Sequence, residues 1–338
     1  MRVAINGFGR IGRQIFIAGL NESEIEFVAV NDVTEPKVLA YLLKYDSVYG
    51  RFNGTIEYNS DGLIVNGKFV KVLAERDPEK LPWKSYGIDI VIESTGFFAD
   101  REGASKHLKA GAKKVLVSTT MKDADLTLVK GVNENMYDRN KHHIVSNATC
   151  TTNCLAPVVK VLNDNFQIIH GFMTTVHAYT SDQRLIDGPG DVRFKDTSIP
   201  ALRRGRAAAQ NLVITTTGAA KTVAQVIPEL RNKLDGIAIR APVLCGSVSD
   251  FVCEVRKYAS KEQVNWLFSE VSKYHLKGII QYTEDPIVST DIIHNSHSAI
   301  FDAQSTMVID GTLIKVLAWY DNEWGYACRC IDVIKFLL

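Results

Sequence analysis

The amino-acid sequence predicts an α/β protein with an N-terminal doubly wound parallel sheet and a second α+β domain built on an antiparallel-rich sheet. The chain has 338 residues, a length that suggests two domains. Before Cys150, short β-rich runs alternate with helical patterns, which is typical of βαβ units. After Cys150, long strand-like runs dominate, which favours an antiparallel sheet.

The first half of the chain carries the alternating pattern. Its predicted strands are residues 2–6, 26–30, 88–92, 115–117 and 143–146. Its predicted helices are residues 11–20, 38–43 and 104–110. Because strands and helices interleave, we expect consecutive strands to run parallel in one sheet.

The second half begins with a helix, since Leu155, Val158 and Leu162 recur at helical spacing just beyond Cys150. The predicted strands that follow are residues 171–179, 237–241, 248–256, 307–309 and 314–320. The predicted helices are residues 261–274 and 324–338. We therefore expect a first domain over 1–149, completed by the helix at about 324–338, and a second domain over 150–323.

Composition and charge exclude several classes of protein. Hydrophobic residues make up 46% and charged residues 23% of the chain, as in ordinary globular proteins. The net charge of +1 creates no global field that would attract nucleic acid or a membrane surface. The start shows no signal-peptide layout, and six irregularly spaced cysteines indicate reduced thiols. A cytoplasmic location is expected.

A dinucleotide-binding fingerprint follows the first predicted strand. Gly7 permits a tight turn, Gly9 lets a pyrophosphate approach the backbone, and Gly12 allows close packing of helix on strand. Asp32 ends the second strand at the spacing expected for an acid that binds the ribose hydroxyls. A carboxylate there repels a 2′-phosphate, which favours NAD over NADP. The pattern predicts a Rossmann-type domain; the alternative is a glycine-rich turn in an unrelated α/β protein.

A second constellation surrounds Cys150, at the start of the predicted helix. A helix N-terminus stabilises a thiolate, and His177 on a later strand is a candidate partner for it. The alternative is that Cys150 is a buried small apolar residue and His177 a satisfied core histidine. Cys154, one turn further on, is expected to have only a packing role. No set of histidines and cysteines has the spacing of a metal site.

Long strings in this sequence resemble the glyceraldehyde-3-phosphate dehydrogenase family from end to end. They are AINGFGRIGR at 4–13, LKYDSV at 43–48, CTTNC at 150–154, TGAAK at 217–221 and WYDNEWGY at 319–326. The resemblance implies that Cys150 is the nucleophile and His177 the general base of a catalytic domain.

The resemblance also implies binding residues. Those for NAD are Gly7, Gly9, Arg10, Ile11, Gly12, Asp32, Thr95, Gly96, Ser118, Asn322 and Tyr326. Those for the substrate and inorganic phosphate are Thr149, Thr151, Thr180, Asp182, Thr217, Gly218 and Arg240. Within these sets, Thr180 and Arg240 resemble the residues that form the family's pocket for the substrate's own phosphate. Asn322 is similar to the residue that holds the nicotinamide carboxamide.

The activity that the resemblance implies is phosphorylating oxidation of glyceraldehyde 3-phosphate in glycolysis, with NAD and a cysteine thioester. The resemblance also implies a homotetramer. It implies no nucleic-acid or membrane partner. Three alternatives stay open: an erythrose-4-phosphate dehydrogenase, an NADP-preferring relative, which Asp32 disfavours, and a non-enzymatic binding protein.

Two departures from the family pattern are notable. Thr149 stands where the family usually has serine. The loop between Asp187 and Arg206, here called the loop 188–204, is longer than is typical, and this segment carries Arg193, Lys195, Arg203, Arg204 and Arg206. In the family this loop reaches a neighbouring subunit's cofactor pocket, so we expect an interface role; the alternative is a solvated basic loop.

Overall fold

The chain forms two compact units in a computed structural model that describes residues 1–189 and 197–338. One unit comprises Met1–Thr149 with Ala327–Leu338, and the other comprises Cys150–Tyr326. In the described ranges no helix is long and apolar enough to cross a membrane. Arg193, Phe194 and Lys195 of the long loop lie outside the described residues.

The N-terminal unit contains the strands of the predicted βαβ pattern and several more. Its strands are β1 (Arg2–Asn6), β2 (Glu26–Asn31), β3 (Tyr45–Asp46), β4 (Gly50–Arg51), β5 (Ile56–Asn59), β6 (Gly62–Val65), β7 (Lys68–Leu73), β8 (Ile90–Glu93), β9 (Lys114–Val117), β10 (Leu126–Thr127) and β11 (Ile144–Ser146). Its helices are α1 (Arg10–Gly19), α2 (Pro36–Lys44) and α3 (Arg101–Lys109), with 3₁₀ turns at Pro78–Lys80 and Glu134–Met136.

One sheet runs through this unit, in the order β10-β11-β9-β8-β1-β2-β7-β6-β5. Strands β10 to β7 in that order pair parallel, which confirms the predicted doubly wound sheet. The carboxyl ends of β1, β2 and β8 therefore meet at one edge of the sheet, where ligands bind in such folds.

The antiparallel edge formed by β5, β6 and β7 was not predicted. Asn66 and Gly67 both adopt positive φ, at 51° and 77°, which is the geometry of a two-residue hairpin turn. An Asn-Gly pair is itself a hairpin signal, but the flanking strand β6 is largely buried and β7 is mostly exposed or half-buried, so neither shows a clear apolar alternation.

The second unit is built on longer strands. They are β12 (Ile168–Ala178), β13 (Val213–Thr216), β14 (Leu234–Ala241), β15 (Ser247–Val255), β16 (Ile280–Thr283), β17 (Ala299–Ile309) and β18 (Leu313–Tyr320). Its helices are α4 (Cys150–Phe166), α5 (Ile199–Arg204), α6 (Ala219–Val226) and α7 (Lys261–Lys273), with a 3₁₀ turn at Pro228–Leu230. The last helix, α8 (Trp324–Leu337), begins in this unit and continues into the N-terminal one.

The sheet of the second unit has the order β13-β14-β12-β15-β18-β17-β16, with four antiparallel and two parallel pairings. This confirms an antiparallel-rich sheet. Strand β17 begins at Ala299, whereas the sequence predicted only 307–309. Residues 299–303 are all buried, so this part of the strand lacks the alternation that marks a half-exposed strand.

Candidate active site

The glycine turn after β1 excludes side chains at two positions and leaves open space at a third. At Gly7, whose φ is +92°, an added Cβ would lie 2.7 Å from the backbone nitrogen of Thr95. At Gly12 it would lie 2.2 Å from the carbonyl oxygen of Gly7. A Cβ on Gly9 would meet no atom within 4 Å. The open space at Gly9, at the start of α1, fits a pyrophosphate that approaches the backbone.

A cavity of about 580 Å³ opens beside this turn. Of the predicted cofactor residues, its lining contains Gly7, Gly9, Asp32 and Thr95 and does not contain Arg10, Ile11, Gly12, Gly96 or Ser118. The Asp32 carboxylate accepts backbone N–H bonds from Phe8 at 2.9 Å and Thr34 at 3.0 Å. Each of its oxygens retains a lone pair for a ribose hydroxyl, so the site fits a dinucleotide with a free 2′-hydroxyl.

Two of the predicted cofactor residues outside the lining, Arg10 and Ser118, have partners of their own. The Arg10 guanidinium lies 2.8 Å from the carboxylate of Asp46. The Ser118 hydroxyl donates to the Glu93 carbonyl at 3.0 Å. Gly96 has a φ of +74° and open space above its Cα. Their roles toward the cofactor stay predictions.

Asn322 and Tyr326 lie in the second unit, around the start of α8. The Asn322 Oδ1 accepts hydrogen bonds from the Gly246 N–H at 3.1 Å and the Ser247 hydroxyl at 2.9 Å. These two donors fix the orientation of the amide and leave its NH₂ group as a donor for a ligand. This arrangement suits a group that holds a carboxamide oxygen.

Cys150 and His177 are in contact in the second unit. Cys150 is the first residue of α4, and its Sγ lies 3.4 Å from His177 Nε2. His177 is near the end of β12 and is 5% exposed. The pairing that the sequence predicted between a remote cysteine and histidine is therefore present in the structure.

The partners of His177 set its tautomer. Its Nδ1 lies 2.6 Å from the Ala178 carbonyl, so this nitrogen carries the proton and donates. The Nε2 atom is then the acceptor for the Cys150 thiol. The Arg240 guanidinium, 3.3 Å from Nδ1, donates instead to the Thr180 hydroxyl at 2.9 Å and to the Ala178 carbonyl at 3.3 Å.

The expected thiolate stabilisation at the helix start is outweighed by burial. Burial raises the pKa of Cys150, while the charge of Arg240 and hydrogen bonds with Thr151 oppose that rise. Burial and, to a lesser extent, the positive charge of Arg240 lower the pKa of His177 to about 3. Both shifts favour the neutral forms of the thiol and the imidazole, and Nε2 of His177 faces the thiol as a proton acceptor.

A guanidinium group lies next to this pair. His177 and Arg240 face each other across the parallel strands β12 and β14. Arg240 donates to Thr180, whose hydroxyl also donates to Asp182. The structure therefore brings the predicted residues for the substrate phosphate within reach of the thiol's partner. A guanidinium and a hydroxyl together suit an oxyanion.

The residues predicted for inorganic phosphate lie on two helix starts. Thr151 is in the first turn of α4, and its hydroxyl lies 2.9 Å from the Tyr320 hydroxyl. Gly218 is the N-cap of α6, and the Thr217 hydroxyl accepts the Ala219 N–H at 3.2 Å. Thr149 precedes α4, and its role stays a prediction.

Two residues contact this site that the sequence did not place in it: Arg204 was expected only as part of the long basic loop, and Tyr320 had no predicted role. Arg204, the last residue of α5, lies 3.1 Å from Asp182 and donates to the Thr215 hydroxyl at 2.9 Å. Tyr320, at the end of β18, is buried and its hydroxyl joins Thr151 and Thr175, at 2.9 and 2.8 Å. Burial raises the pKa of the Tyr320 phenol, so it stays protonated. The string at 319–326 contained this signal, since a tyrosine that ends a strand needs a partner for its hydroxyl.

Cys154 lies one turn into α4 and is fully buried. Its Sγ lies 3.7 Å from the Ala318 carbonyl, and burial raises the pKa of its thiol. These observations support the packing role predicted for it.

Comparison with known proteins matches both units. A family model described as the NAD binding domain of glyceraldehyde 3-phosphate dehydrogenase matches residues 1–101, and one described as its C-terminal domain matches residues 149–322. A glyceraldehyde-3-phosphate dehydrogenase of Geobacillus stearothermophilus is 52% identical over 337 residues, covering 100% of this chain and 98% of the relative. Glyceraldehyde-3-phosphate dehydrogenase 1 of Bacillus subtilis is 50% identical with the same coverage. The chain belongs to the glyceraldehyde-3-phosphate dehydrogenase family.

Proposed function

We propose that this protein is a phosphorylating, NAD-dependent glyceraldehyde-3-phosphate dehydrogenase that oxidises D-glyceraldehyde 3-phosphate to 1,3-bisphosphoglycerate in glycolysis. The observation that carries the proposal is the Cys150–His177 contact beside Arg240. It combines a thiol, a proton acceptor and a phosphate-binding cation in one place. The N-terminal unit, with its glycine turn and Asp32, would bind NAD.

The first half-reaction follows from this arrangement. Arg240 and Thr180 bind the substrate's phosphate and present its aldehyde to Cys150. The thiol adds to the aldehyde carbon, and His177 Nε2 relays the thiol proton to the new hydroxyl, which gives a hemithioacetal. Bound NAD supplies the hydride acceptor. As the C–H electron pair leaves as hydride, His177 takes the hydroxyl proton, and a thioester remains on Cys150.

The second half-reaction involves the residues at the N-termini of α4 and α6. Thr151, Thr217 and Gly218 are proposed to hold inorganic phosphate, and Arg204 adds a nearby positive charge. A phosphate oxygen attacks the thioester carbon, the C–S bond breaks, and Cys150 leaves as thiolate and regains a proton from His177. The product is an acyl phosphate. Sulfur suits this step because a thiolate is a better leaving group than an alkoxide.

Absorbance of NADH, recorded with and without phosphate, tests the proposal. Turnover with glyceraldehyde 3-phosphate should require phosphate beyond the first equivalent of NADH. A specificity constant higher for erythrose 4-phosphate would instead identify an erythrose-4-phosphate dehydrogenase. Absence of NADH formation with either aldehyde would leave a non-enzymatic binding role.

We further propose a cytoplasmic homotetramer. All six cysteines are free, as expected in a reducing compartment. One face of the sheet of the second unit exposes large apolar side chains, namely Phe172, Val176, Ile214, Ile237, Met307 and Ile309. An apolar face of this kind on a folded protein is typical of a subunit interface. Light scattering after size-exclusion chromatography would give the assembly mass, and a monomer would contradict the proposal.

A further inference from the structure

A buried carboxylate lies at the sheet edge beneath the cofactor cavity. Glu93 is the last residue of β8 and is 1% exposed. One of its oxygens is bonded by the backbone N–H and the hydroxyl of Thr95. The other lies 2.6 Å from Asn6 Nδ2 and 3.1 Å from His107 Nε2. Four polar groups therefore converge on a single side chain that no motif singled out.

The direction of the bond from His107 is set by Trp83. The indole N–H of Trp83 can only donate, and it lies 3.0 Å from His107 Nδ1. Nδ1 is therefore the acceptor, and the ring proton is on Nε2. His107 is fully buried and donates that proton to Glu93.

The direction of the bond from Asn6 is set from the opposite side. The backbone N–H of Glu75 donates to Asn31 Oδ1 at 2.9 Å, which fixes the Asn31 amide. Asn31 Nδ2 then donates to Asn6 Oδ1 at 2.7 Å. The NH₂ group of Asn6 is consequently the group that faces Glu93. Two obligate donors, Trp83 and the Glu75 N–H, thus leave the network a single proton arrangement.

Three of the four groups around Glu93 can only donate to it, namely the Thr95 N–H, the Asn6 NH₂ group and the His107 Nε2–H; the fourth is the Thr95 hydroxyl, which also accepts the Phe97 N–H at 3.0 Å. The Glu93 oxygen that faces Asn6 and His107 meets only donors, so that oxygen acts as an acceptor. Among residues 1–189 and 197–338, no lysine or arginine forms an ion pair with it. Because an unpaired buried polar group is costly, each donor around Glu93 is hard to displace.

The donors that Glu93 holds are also parts of the cavity wall. Asn6, Asn31 and Thr95 line the cavity, and Phe97, which is bonded to Thr95, lines it as well. We propose that Glu93 is a positioning residue for NAD: its buried carboxylate holds the ends of β1 and β2 and the turn after β8 in the geometry that binds the dinucleotide. This inference rests on the proposed function in that NAD is the ligand of the cavity.

Three variants test the proposal: Glu93→Gln, His107→Leu and His107→Gln. In Glu93→Gln, the new amide would turn an NH₂ group toward two donors, so the dissociation constant of this variant for NAD should rise at least ~10-fold. His107→Leu removes one donor and should weaken NAD binding several-fold. His107→Gln offers an acceptor to Trp83 and a donor to Glu93, and should keep the constant within about threefold of the wild type. Calorimetric titration of the protein with NAD gives these constants.

A second readout separates positioning from general loss of structure. Iodoacetamide alkylation of Cys150 reports on the second unit, and its rate should be the same in all three variants. In steady-state assays the Michaelis constant for NAD should rise in Glu93→Gln and His107→Leu by a larger factor than kcat falls.

The possible outcomes distinguish a positioning role of Glu93 from a purely structural one. Wild-type affinity for NAD in Glu93→Gln or in His107→Leu would overturn the inference, as would equal weakening in His107→Leu and His107→Gln. If Glu93→Gln does not fold, the two His107 variants decide. Absence of NAD binding by the wild-type protein would overturn the proposed function and this inference with it.

Discussion

His177 and Arg240 occupy paired positions on the parallel strands β12 and β14, with the guanidinium 3.3 Å from the imidazole Nδ1. A cation next to a general base opposes protonation of that base, and here it helps to keep His177 neutral. In the proposed function the same cation would bind the substrate's phosphate. One side chain would then couple binding of the substrate to the protonation state of His177.

Arg240→Gln should raise the Michaelis constant for glyceraldehyde 3-phosphate by about 10- to 100-fold, since a charge-assisted hydrogen bond to the phosphate is lost. Steady-state kinetics measure this Michaelis constant. Glyceraldehyde, which lacks the phosphate, is the matched control: its poor specificity constant should change far less. An equal loss for both aldehydes would show that Arg240 acts on the chemistry and not on the phosphate.

Cys150→Ser should lower dehydrogenase activity by ~10³-fold or more, because the thioester cannot form. NAD binding should remain, and calorimetric titration checks that the site is intact. The control is Cys154→Ser, which changes a buried thiol that lies against the Ala318 carbonyl. It should keep substantial turnover. Full activity in Cys150→Ser would exclude this residue as the nucleophile.

The lowered pKa of His177 predicts a pH dependence of stability. Its pKa falls from the ordinary 6.5 to about 3 in the folded state. Between these values the unfolded chain binds one more proton than the folded protein, so this residue makes the free energy of unfolding decrease as the pH falls. From pH 8 to pH 5 the decrease is about 2 kcal/mol.

His177→Asn lacks this contribution. On going from pH 8 to pH 5, the free energy of unfolding of the variant should therefore gain about 2 kcal/mol relative to the wild type, measured by urea unfolding. The same variant should lose ~10²- to 10⁴-fold in turnover and react more slowly with iodoacetamide at Cys150. A difference in stability that does not vary with pH would show that His177 titrates normally.

Asp32→Gly should weaken NAD binding and improve the relative use of NADP. The carboxylate offers two hydrogen bonds to the ribose and repels a 2′-phosphate, and the substitution removes both effects. Competition between NAD and NADP measures the change. A wild-type preference for NADP would contradict the role given to Asp32.

The sequence sufficed for the parts of the site that rest on local pattern. The glycine turn, Asp32 and the start of α4 each combine a short motif with its own secondary structure, and the structure has all of them. The pairing of Cys150 with His177 was also predicted. The thiolate stabilisation expected at the helix start stays a prediction: Arg240 and the hydrogen bonds with Thr151 favour the thiolate, whereas burial raises the pKa of the thiol, and burial is not visible in sequence.

What the sequence could not show depends on register between distant segments. Arg240 meets His177 only because β12 and β14 align residue by residue across 63 positions of chain. The network around Glu93 joins residues from β1, β2, β8 and α3, none of which forms a motif with another. Side-chain hydrogen bonds between strands carry no periodic signal, so they had to be seen in three dimensions.

The last prediction concerns the loop 188–204, which we expect to lie at a subunit interface and to help close a neighbour's cofactor pocket. Its described flanks support this, because Leu185 and Ile186 are 84% and 79% exposed before it and Ile199 is 67% exposed within it. Large apolar side chains with this exposure are typical of surfaces that a partner covers. At the other end, Arg204 forms an ion pair with Asp182 near the proposed substrate-binding residues, so the end of the loop must be left unchanged in any test.

Replacing Leu185 and Ile186 together with serine should weaken the tetramer or raise the Michaelis constant for NAD, while alkylation of Cys150 stays unchanged. The control is Tyr274→Ser, which changes another highly exposed residue. Sedimentation and NAD titration measure both effects, and a double variant that stays tetrameric with unaltered NAD affinity would contradict an interface role for this flank of the loop.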